Sequence, residues 1–216
     1  IKMDDFGKVD VFTGASDIGQ GSETIIAQIV AEVLGIPIDD VNVINNDTDI
    51  CPWDVGVHAS RTTFVAGNAA LGAAKKIKAQ ILEVAAKLLE EAPASLDIKN
   101  GLVFSVKNSE KSTPLGKALR KVHYTLGGNM LMAEYFYDPA NENFDKEFKG
   151  NLSVSYAYGA HGVEVEVDRE TGKVKILNYI AAHDVGKAIN PMLLEGQIYG
   201  GGLMGLGFAL GENIIY

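Results

Sequence analysis

Residues 17–22, with the sequence Asp-Ile-Gly-Gln-Gly-Ser, form a glycine-rich loop that runs directly into a stretch of helical periodicity. The first turn of a helix carries free backbone N–H groups and the positive end of the helix dipole, which favour a bound anion such as a phosphate. The side-chain amide of Gln20 can also donate and accept hydrogen bonds at once. Gly19, Gln20 and Gly21 are therefore candidates for anion binding, with a tight strand-to-helix turn as the open alternative.

This loop differs from the two common phosphate-binding motifs. The third glycine of the dinucleotide motif G-x-G-x-x-G is missing, and no Gly-Lys-Ser/Thr of a Walker loop follows Gly21. An unrelated enzyme that binds nucleotide phosphates is therefore disfavoured.

A second candidate segment, residues 58–63, has the sequence His-Ala-Ser-Arg-Thr-Thr at the predicted start of a long helix. It gathers three hydroxyls and the guanidinium of Arg61, which can hold a phosphate or carboxylate through two parallel hydrogen bonds. The simpler interpretation is that Ser60 caps the helix and that the remaining groups are solvated.

The third candidate is Gln197, in the first turns of a glycine-rich helix that is predicted to begin at Pro191 with Asn190 as its cap. Each glycine inside a helix costs about 0.5–1 kcal/mol relative to alanine. Six glycines between positions 196 and 207 therefore predict that something lies close to the helix backbone, either a ligand or another helix.

Other chemistries find little support in the sequence. The four histidines His58, His123, His161 and His183 lack the short paired spacing of zinc ligands, so we expect no metal ligated by protein side chains. No Ser/His/Asp or Cys/His order is evident. The single cysteine, Cys51, excludes an internal disulfide and an iron-sulfur cluster, and we interpret it as a buried structural residue.

The periodicity of the first half predicts the elements that position these segments. Residues 8–12 and 41–44 read as strands, 22–34 as a helix that ends at Gly35, and a helix from about Ser60 ends before Pro93. A hairpin with Asn100-Gly101 as its turn is predicted over 96–106, followed by a short helix over 114–122.

The second half contains one clear hairpin. Alternating valines from Val163 to Val167 are followed by a Glu-Thr-Gly turn and a return strand that includes Tyr179. Residues 130–137 are compatible with another strand. Because strands and helices alternate only loosely, we predict an α+β fold with mixed sheets and packed helices, in two lobes, 1–122 and 123–216.

Composition excludes several classes of partner. The formal net charge of -9 argues against nucleic-acid binding, which needs a basic face. No apolar run approaches the roughly 20 residues that cross a bilayer. The opening residues lack a signal peptide and Ile1 is not a natural start, so we expect a fragment cut from a longer protein. The single cysteine favours a reducing cytoplasm.

Taken together and in order, the segments 14–21, 60–69 and 184–197 resemble the molybdenum-binding subunit of the xanthine oxidase family of molybdenum hydroxylases. Two sequences, Ser-Arg-x-Thr-Phe at 60–64 and Asp-Val-Gly-Lys-Ala at 184–188, look most like the large subunit of 4-hydroxybenzoyl-CoA reductase. Xanthine, nicotinate and carbon monoxide dehydrogenases are alternative relatives.

The resemblance implies a molybdopterin cofactor, commonly its cytosine dinucleotide form, bound to molybdenum. Its contacts would be the candidates of the three segments: Gly19, Gln20, Gly21, Ala59, Ser60, Arg61, Thr62, Thr63 and Gln197. It also implies an iron-sulfur subunit and an FAD subunit as electron-transfer partners, and an aromatic or CoA-thioester substrate.

The catalytic glutamate of that family lies downstream of the glycine-rich helix, and no residue here matches it. We therefore expect no catalytic residue in this chain and no activity from the chain alone. A different class of function, a non-catalytic assembly or interaction domain that has lost the cofactor, is disfavoured by the presence of Gln20, Arg61 and Gln197.

Overall fold

The structure, a computed structural model, describes residues 1–108, 110–124 and 128–216. Contacts divide them into two units, Ile1–Pro139 and Ala140–Tyr216. The strands are β1 (Lys2–Met3), β2 (Val9–Phe12), β3 (Val41–Ile44), β4 (Leu96–Lys99), β5 (Leu102–Ser105), β6 (Ser112–Pro114), β7 (Leu131–Met132), β8 (Tyr158–Val167) and β9 (Val174–Asp184). The helices are α1 (Ser22–Leu34), α2 (Thr62–Leu89), α3 (Leu115–Tyr124) and α4 (Pro191–Leu210).

The larger sheet of the first unit has the order β3-β2-β1-β7. Strand β2 pairs in parallel with β3, whereas β1 pairs antiparallel with both β2 and β7. The parallel pair is joined through α1, which gives a β-α-β unit within a mixed sheet. The predicted α+β class with mixed sheets is confirmed.

Helix α1 begins and ends where the glycines predict. Gly21 and Gly35, which flank the helix, both have left-handed backbone angles, and the N–H of Gly35 bonds to the carbonyl of Ala31. Glycine reaches such angles without a steric penalty. A Cβ at Gly35 would also lie 2.8 Å from the carbonyl oxygen of Ile98, so this position requires glycine for space as well.

Helix α2 buries a face made mostly of alanine, which lets neighbouring elements approach its backbone closely. Its buried members are Ala66, Gly67, Ala70, Ala73, Ala74, Ile77, Ile81, Ala85 and Ala86. Helix α1 packs on the N-terminal part of this face, where Ile29 Cδ1 would lie 3.1 Å from a Cβ at Gly67. The core continues onto the sheet through Met3, Val9 and Val11.

The smaller sheet has the order β4-β5-β6 and packs with α3. The predicted hairpin is confirmed, because Asn100 and Gly101 both have positive φ, as a two-residue turn requires. Strand β6 was not predicted. Pro114 ends that strand rather than beginning a helix, and α3 starts at Leu115.

The predicted strand over 130–137 is confirmed only at Leu131–Met132. Ala133 still exchanges two backbone hydrogen bonds with Ile1, at 3.0 and 2.8 Å. The segment also passes α2, where side chains of the helix bond to its carbonyls. Lys76 Nζ bonds to the carbonyl of Glu134 at 2.8 Å, and Gln80 Nε2 to that of Met132 at 3.5 Å. These contacts hold the segment against α2.

The second unit contains the hairpin β8-β9 and helix α4. The predicted hairpin is confirmed and is longer than expected, with a register shift between Glu164 and Val165. Helix α4 is also confirmed, and the side chain of Asn190 caps it by accepting the N–H of Leu193 at 3.1 Å. The two-lobe division at residue 122 stays a prediction.

Among the described residues, no helix combines the length and the apolar character needed to span a membrane. Helix α4 is the most apolar of the four helices, yet it carries six glycines and ends at Leu210.

Candidate functional site

The parallel pairing of β2 and β3 brings two candidate loops to one edge of the sheet. Since parallel strands end on the same side, the loop after β2 and the loop after β3 emerge together. Two hydrogen bonds connect them: the N–H of Thr13 donates to the carbonyl of Ile44 at 3.0 Å, and Asn45 Nδ2 donates to the carbonyl of Ala15 at 3.4 Å.

Gly14 allows these two loops to touch. A Cβ at this position would lie 2.3 Å from the carbonyl oxygen of Pro52 and 2.9 Å from the backbone nitrogen of Asp54. Both are backbone atoms, which cannot rotate away as a side chain can. The absence of a side chain at Gly14 is therefore required for the contact between the loops.

The helices that follow the loops run in the same direction. Ile29 of α1 lies against Gly67 of α2, and further along both helices Gly35 and Lys78 meet neighbouring residues of β4. Both helix N-termini therefore lie at the same end of the first unit, as a site shared by residues 19–21 and 59–63 requires.

The N-terminus of α1 is already occupied by a carboxylate from the chain itself. Asp17 accepts the N–H of Gly19 at 2.8 Å, the hydroxyl of Ser22 at 3.1 Å and the N–H of Glu23 at 3.4 Å. The bond from Gly19 is the main reason that the pKa of this carboxyl is lowered, and burial opposes it. An anion at this end would have to share these donors with Asp17.

Gln20 directs its amide into its own loop. Its Oε1 accepts the N–H of Ile18 at 2.6 Å, and its Nε2 donates to the carbonyl of Ser16 at 3.0 Å. In this arrangement the amide shapes the loop, and the groups that face outward belong to the backbone. Gly19 is open, because a Cβ there would meet no atom within 4 Å.

The N-terminus of α2 is arranged differently. Arg61 is the N-cap residue and no side chain caps the helix, so the expectation that Ser60 caps it is wrong. Ala59 and Ser60 both have positive φ, 54° and 53°, which turns the chain sharply into the helix. Ser60 cannot cap because its backbone is left-handed, whereas a capping residue is normally extended.

This turn leaves the first N–H groups of α2 without a partner among the described residues. The first helical bond runs from Val65 to the carbonyl of Arg61, and the N–H groups of Thr62, Thr63 and Phe64 form no hydrogen bond with a described residue. Free donors at a helix N-terminus attract anions. Of the two helix ends, that of α2 is the one that is free to bind a ligand.

Arg61 also lines a cleft of the first unit, which has a volume of about 1280 Å³. Its guanidinium forms no ion pair with any carboxylate in the part of the chain that the structure describes. The other eight candidate residues do not line this cleft.

The cleft is bounded by α2 and by the segment that passes it after β7. The ring of Tyr135 lies over Gly72, where a Cβ would be 2.5 Å from the ring, and Tyr137 meets Phe64 edge to face at 5.7 Å. On the other side, the loop after β3 contributes Trp53, whose side chain is 75% exposed. The aromatic rings suit a planar ligand, and Arg61 can bind its anionic part. The cleft is also lined by Lys2, Lys76 and four carboxylates, Asp49, Asp54, Glu134 and Asp138, so an anion is favoured only near Arg61 at the start of α2.

Gln197 lies in the second unit, in the first turns of α4, and its side chain is exposed. The close neighbour predicted for the glycines is observed at Gly202, where a Cβ would lie 3.2 Å from the hydroxyl of Tyr179. Within the described residues, Gly196, Gly200 and Gly201 have no atom this close.

Sequence reasoning missed Gly14 and Asp17. A signal for Asp17 was present, because aspartate two residues before a glycine and five before a helix start is typical of a turn and capping residue. No local signal existed for Gly14, whose constraint comes from Pro52. Cys51, interpreted as buried, is half-buried, and its thiol donates to the carbonyl of Ile44 at 3.3 Å.

We expect replacement of Ala59 by glycine to raise the free energy of unfolding by about 1 kcal/mol. A left-handed non-glycine residue costs about 1–2 kcal/mol, and glycine removes this cost. Part of the gain is lost again, because the glycine variant has the larger conformational entropy in its unfolded state. Urea unfolding measures the change. The same replacement at exposed Ala79 in α2 should lower stability by about 1 kcal/mol, and equal losses at both sites would show that the turn is unstrained.

Three comparisons relate the chain to known proteins. A family model described as the molybdopterin cofactor-binding domain matches residues 1–216. The chain is 35% identical over 223 residues to a putative xanthine dehydrogenase molybdenum-binding subunit of Escherichia coli, covering 99% of the chain and 27% of the relative. It is 35% identical over 222 residues to the carbon monoxide dehydrogenase large chain of Afipia carboxidovorans, covering 100% of the chain and 26% of that protein.

Solved structures agree with these matches. Quinoline 2-oxidoreductase from Pseudomonas putida 86 superposes with a TM-score of 0.82 at 32% identity, over 93% of this chain and 25% of that one. The Cu,Mo-CO dehydrogenase gives a TM-score of 0.79 at 32% identity, over 93% and 24%. The chain thus spans about a quarter of the length of the relatives it matches.

Proposed function

Because this chain belongs to the molybdopterin cofactor-binding domain family, within the xanthine oxidase family of molybdenum hydroxylases, we propose that it holds the molybdopterin through the three predicted segments. The contacts are Gly19, Gln20, Gly21, Ala59, Ser60, Arg61, Thr62, Thr63 and Gln197. The observation that carries the proposal is the uncapped N-terminus of α2 beside Arg61.

The donor set of the first unit fits the phosphate end of such a cofactor. The free N–H groups at the start of α2, the hydroxyls of Thr62 and Thr63 and the guanidinium of Arg61 all donate hydrogen bonds to oxygen. Charge-assisted bonds of this type contribute about 1.5–3 kcal/mol each. The N–H groups of α1 fit less well, because Asp17 already accepts from them.

We assign the residues of this chain to binding and positioning. The backbone of Gly19 and Gly21 approaches the cofactor without side-chain obstruction, Arg61 neutralises its phosphates, and Gln197 offers an amide to its ring system. When bound, the molybdenum cofactor supplies transfer of oxygen between water and a substrate carbon. No residue of this chain is proposed as the base of that reaction, since none matches the catalytic glutamate of the family.

For the whole enzyme we propose the branch of 4-hydroxybenzoyl-CoA reductase, with the cofactor in its cytosine dinucleotide form. The support is the Ser-Arg-x-Thr-Phe sequence at 60–64 and the Asp-Val-Gly-Lys-Ala sequence at 184–188. Xanthine, nicotinate and carbon monoxide dehydrogenase activities are equally compatible with the matched relatives. We further propose a cytoplasmic enzyme with iron-sulfur and FAD partners, because one cysteine cannot hold a cluster.

A second candidate function is a non-catalytic assembly domain without cofactor. One observation favours it: the carboxylate of Asp17 and the amide of Gln20 already accept hydrogen bonds from donors of the first loop. Against it stands the unsatisfied start of α2, which an assembly domain has no reason to keep free.

The experiment that separates these functions is cofactor analysis of the whole protein. We expect near-stoichiometric molybdenum by elemental analysis, release of a cytidine nucleotide on acid hydrolysis, and reduction of a dye with one of 4-hydroxybenzoyl-CoA, xanthine, nicotinate or carbon monoxide. Protein that folds and lacks molybdenum would support the assembly domain. The isolated 216-residue chain should give no turnover, and measurable turnover would show that it carries its own base.

A further inference from the structure

The hairpin β8-β9 brings together two histidines that are 22 residues apart in the sequence. His161 Nε2 and His183 Nε2 lie 2.7 Å from each other, and the ring centroids are 4.9 Å apart. Both side chains are exposed. Neither residue belongs to the proposed cofactor contacts, and short-range spacing in the sequence gives no indication of the pair.

We propose that His161 and His183 form a binding site for a zinc-class divalent transition metal ion, with the two Nε2 atoms as ligands and water completing the coordination. Imidazole nitrogen is a preferred ligand of zinc. The two Nε2 atoms share a hydrogen bond of 2.7 Å, and a metal ion would replace the proton between them. No third side chain joins them: among the described residues, no group of three or more histidine, cysteine, aspartate or glutamate side chains gathers around a common point.

The distance between the nitrogens suits this role after a small movement. With zinc-nitrogen bonds of about 2.0–2.1 Å and a tetrahedral angle, the two Nε2 atoms would be about 3.3 Å apart. The rings therefore have to separate by about 0.6 Å from the observed 2.7 Å. Exposed side chains make such a movement at little cost, and the open side leaves room for water.

Tyr179 orients His161 in the way that metal-binding histidines require. Its hydroxyl lies 2.5 Å from His161 Nδ1, whereas Nε2 of the same ring contacts His183. When Nδ1–H donates to this oxygen, the proton is fixed there and the lone pair of Nε2 points toward the metal position. Metal binding then selects the tautomer in which Nδ1 of each ring carries the proton.

The strand register creates the space for the pair. His183 lies opposite Gly159 and His161 lies opposite Ala181, so each imidazole faces a small residue on the neighbouring strand. A Cβ at Gly159 would lie 2.9 Å from Cε1 of His183. The position of the His183 ring thus depends on this glycine, and strands of 10 and 11 residues hold the arrangement in place.

Calorimetric titration of the full chain with Zn²⁺, after removal of any purification tag, tests the site. We expect one equivalent to bind, and His161→Ala and His183→Ala each to weaken binding at least about tenfold. Gly159→Ala should weaken it as well, because the new methyl displaces the ring. Gly162→Ala is the matched control, since a Cβ there meets no atom within 4 Å, and it should leave binding unchanged, as should His58→Ala.

A measurement on the unmodified protein avoids any effect of the substitutions on folding. Of the four histidines, only two should show shifted imidazole proton signals in NMR spectra during the Zn²⁺ titration. Absence of zinc binding by the unmodified protein would overturn the proposal, and so would unchanged affinity in both histidine variants. Neither result depends on molybdenum, so the outcome is separate from that of the proposed cofactor function.

Discussion

Replacing Gly14 with alanine should lower the free energy of unfolding of the chain by about 1–3 kcal/mol, and replacement with valine should lower it further. The new Cβ would lie 2.3 Å from the carbonyl oxygen of Pro52 and 2.7 Å from Cβ of Asp54. Contacts this short have to be relieved by separating the two loops, which also strains the hydrogen bond between Thr13 and Ile44.

Urea unfolding followed by circular dichroism measures the effect on stability. The matched control is Gly116→Ala, since a Cβ at Gly116 meets no atom within 4 Å and the residue lies in α3. This control should leave the stability unchanged or raise it by about 0.5–1 kcal/mol, because alanine has the higher helix propensity. If Gly14→Ala behaves like the control, the loop after β2 and the loop after β3 do not touch as described.

The same substitution reports on function in the whole protein. Separation of the loops would move the residues that precede α1 away from those that precede α2. We therefore expect molybdenum content to fall in Gly14→Ala protein that is still folded. In the Gly116→Ala control it should stay at the level of the unmodified protein.

The sequence predicts much of the fold because the relevant signals are local. The start and stop of α1 depend on glycines at positions 21 and 35, and the turn of the first hairpin depends on adjacent Asn100 and Gly101. Each signal lies within a few residues of the structure that it determines. Helices α2 and α4 are also predicted correctly. Helix α2 is long and strongly patterned, and helix α4 has a clear N-cap in Asn190.

The parts that escaped prediction depend on contacts between distant residues. The segment after β7 lies along α2, where Lys76, 58 residues away in the sequence, donates to the carbonyl of Glu134. The pairing of His161 with His183 depends on a register that extends the hairpin beyond its alternating valines. The conformation of Ser60 was also unexpected, since positive φ is disfavoured for serine and only the surrounding loop explains it.

For the candidate site, the positions of the segments can be compared with the structure, whereas the cofactor contacts of the side chains stay predictions. The sequence correctly identified two loops that precede helices, and the parallel strands bring these loops to one edge. It did not reveal that Asp17 occupies the end of α1 while the end of α2 stays free. This difference arises from the geometry of each turn. We therefore expect Arg61, at the free end of α2, to contribute most to cofactor binding.

Replacing Arg61 with alanine should weaken binding of the molybdenum cofactor by about 10- to 150-fold. This range corresponds to about 1.5–3 kcal/mol for the loss of a charge-assisted hydrogen bond. The guanidinium lines the cleft without an ion-pair partner among the described residues, so its charge is available to a ligand. Arg61→Lys should recover only part of the affinity, because an ammonium cannot form two parallel bonds to a phosphate.

The measurement is the molybdenum content of the purified whole protein, together with cofactor loss during dialysis. Arg169→Ala serves as the control, since this arginine lies in the turn of the β8-β9 hairpin and its removal changes the net charge equally. Arg61 is also the N-cap residue of α2, so the stability of each variant has to be compared by urea unfolding. Cofactor retention in folded Arg61→Ala protein would exclude this guanidinium as the phosphate contact, and the free N–H groups of α2 would then have to bind the anion alone.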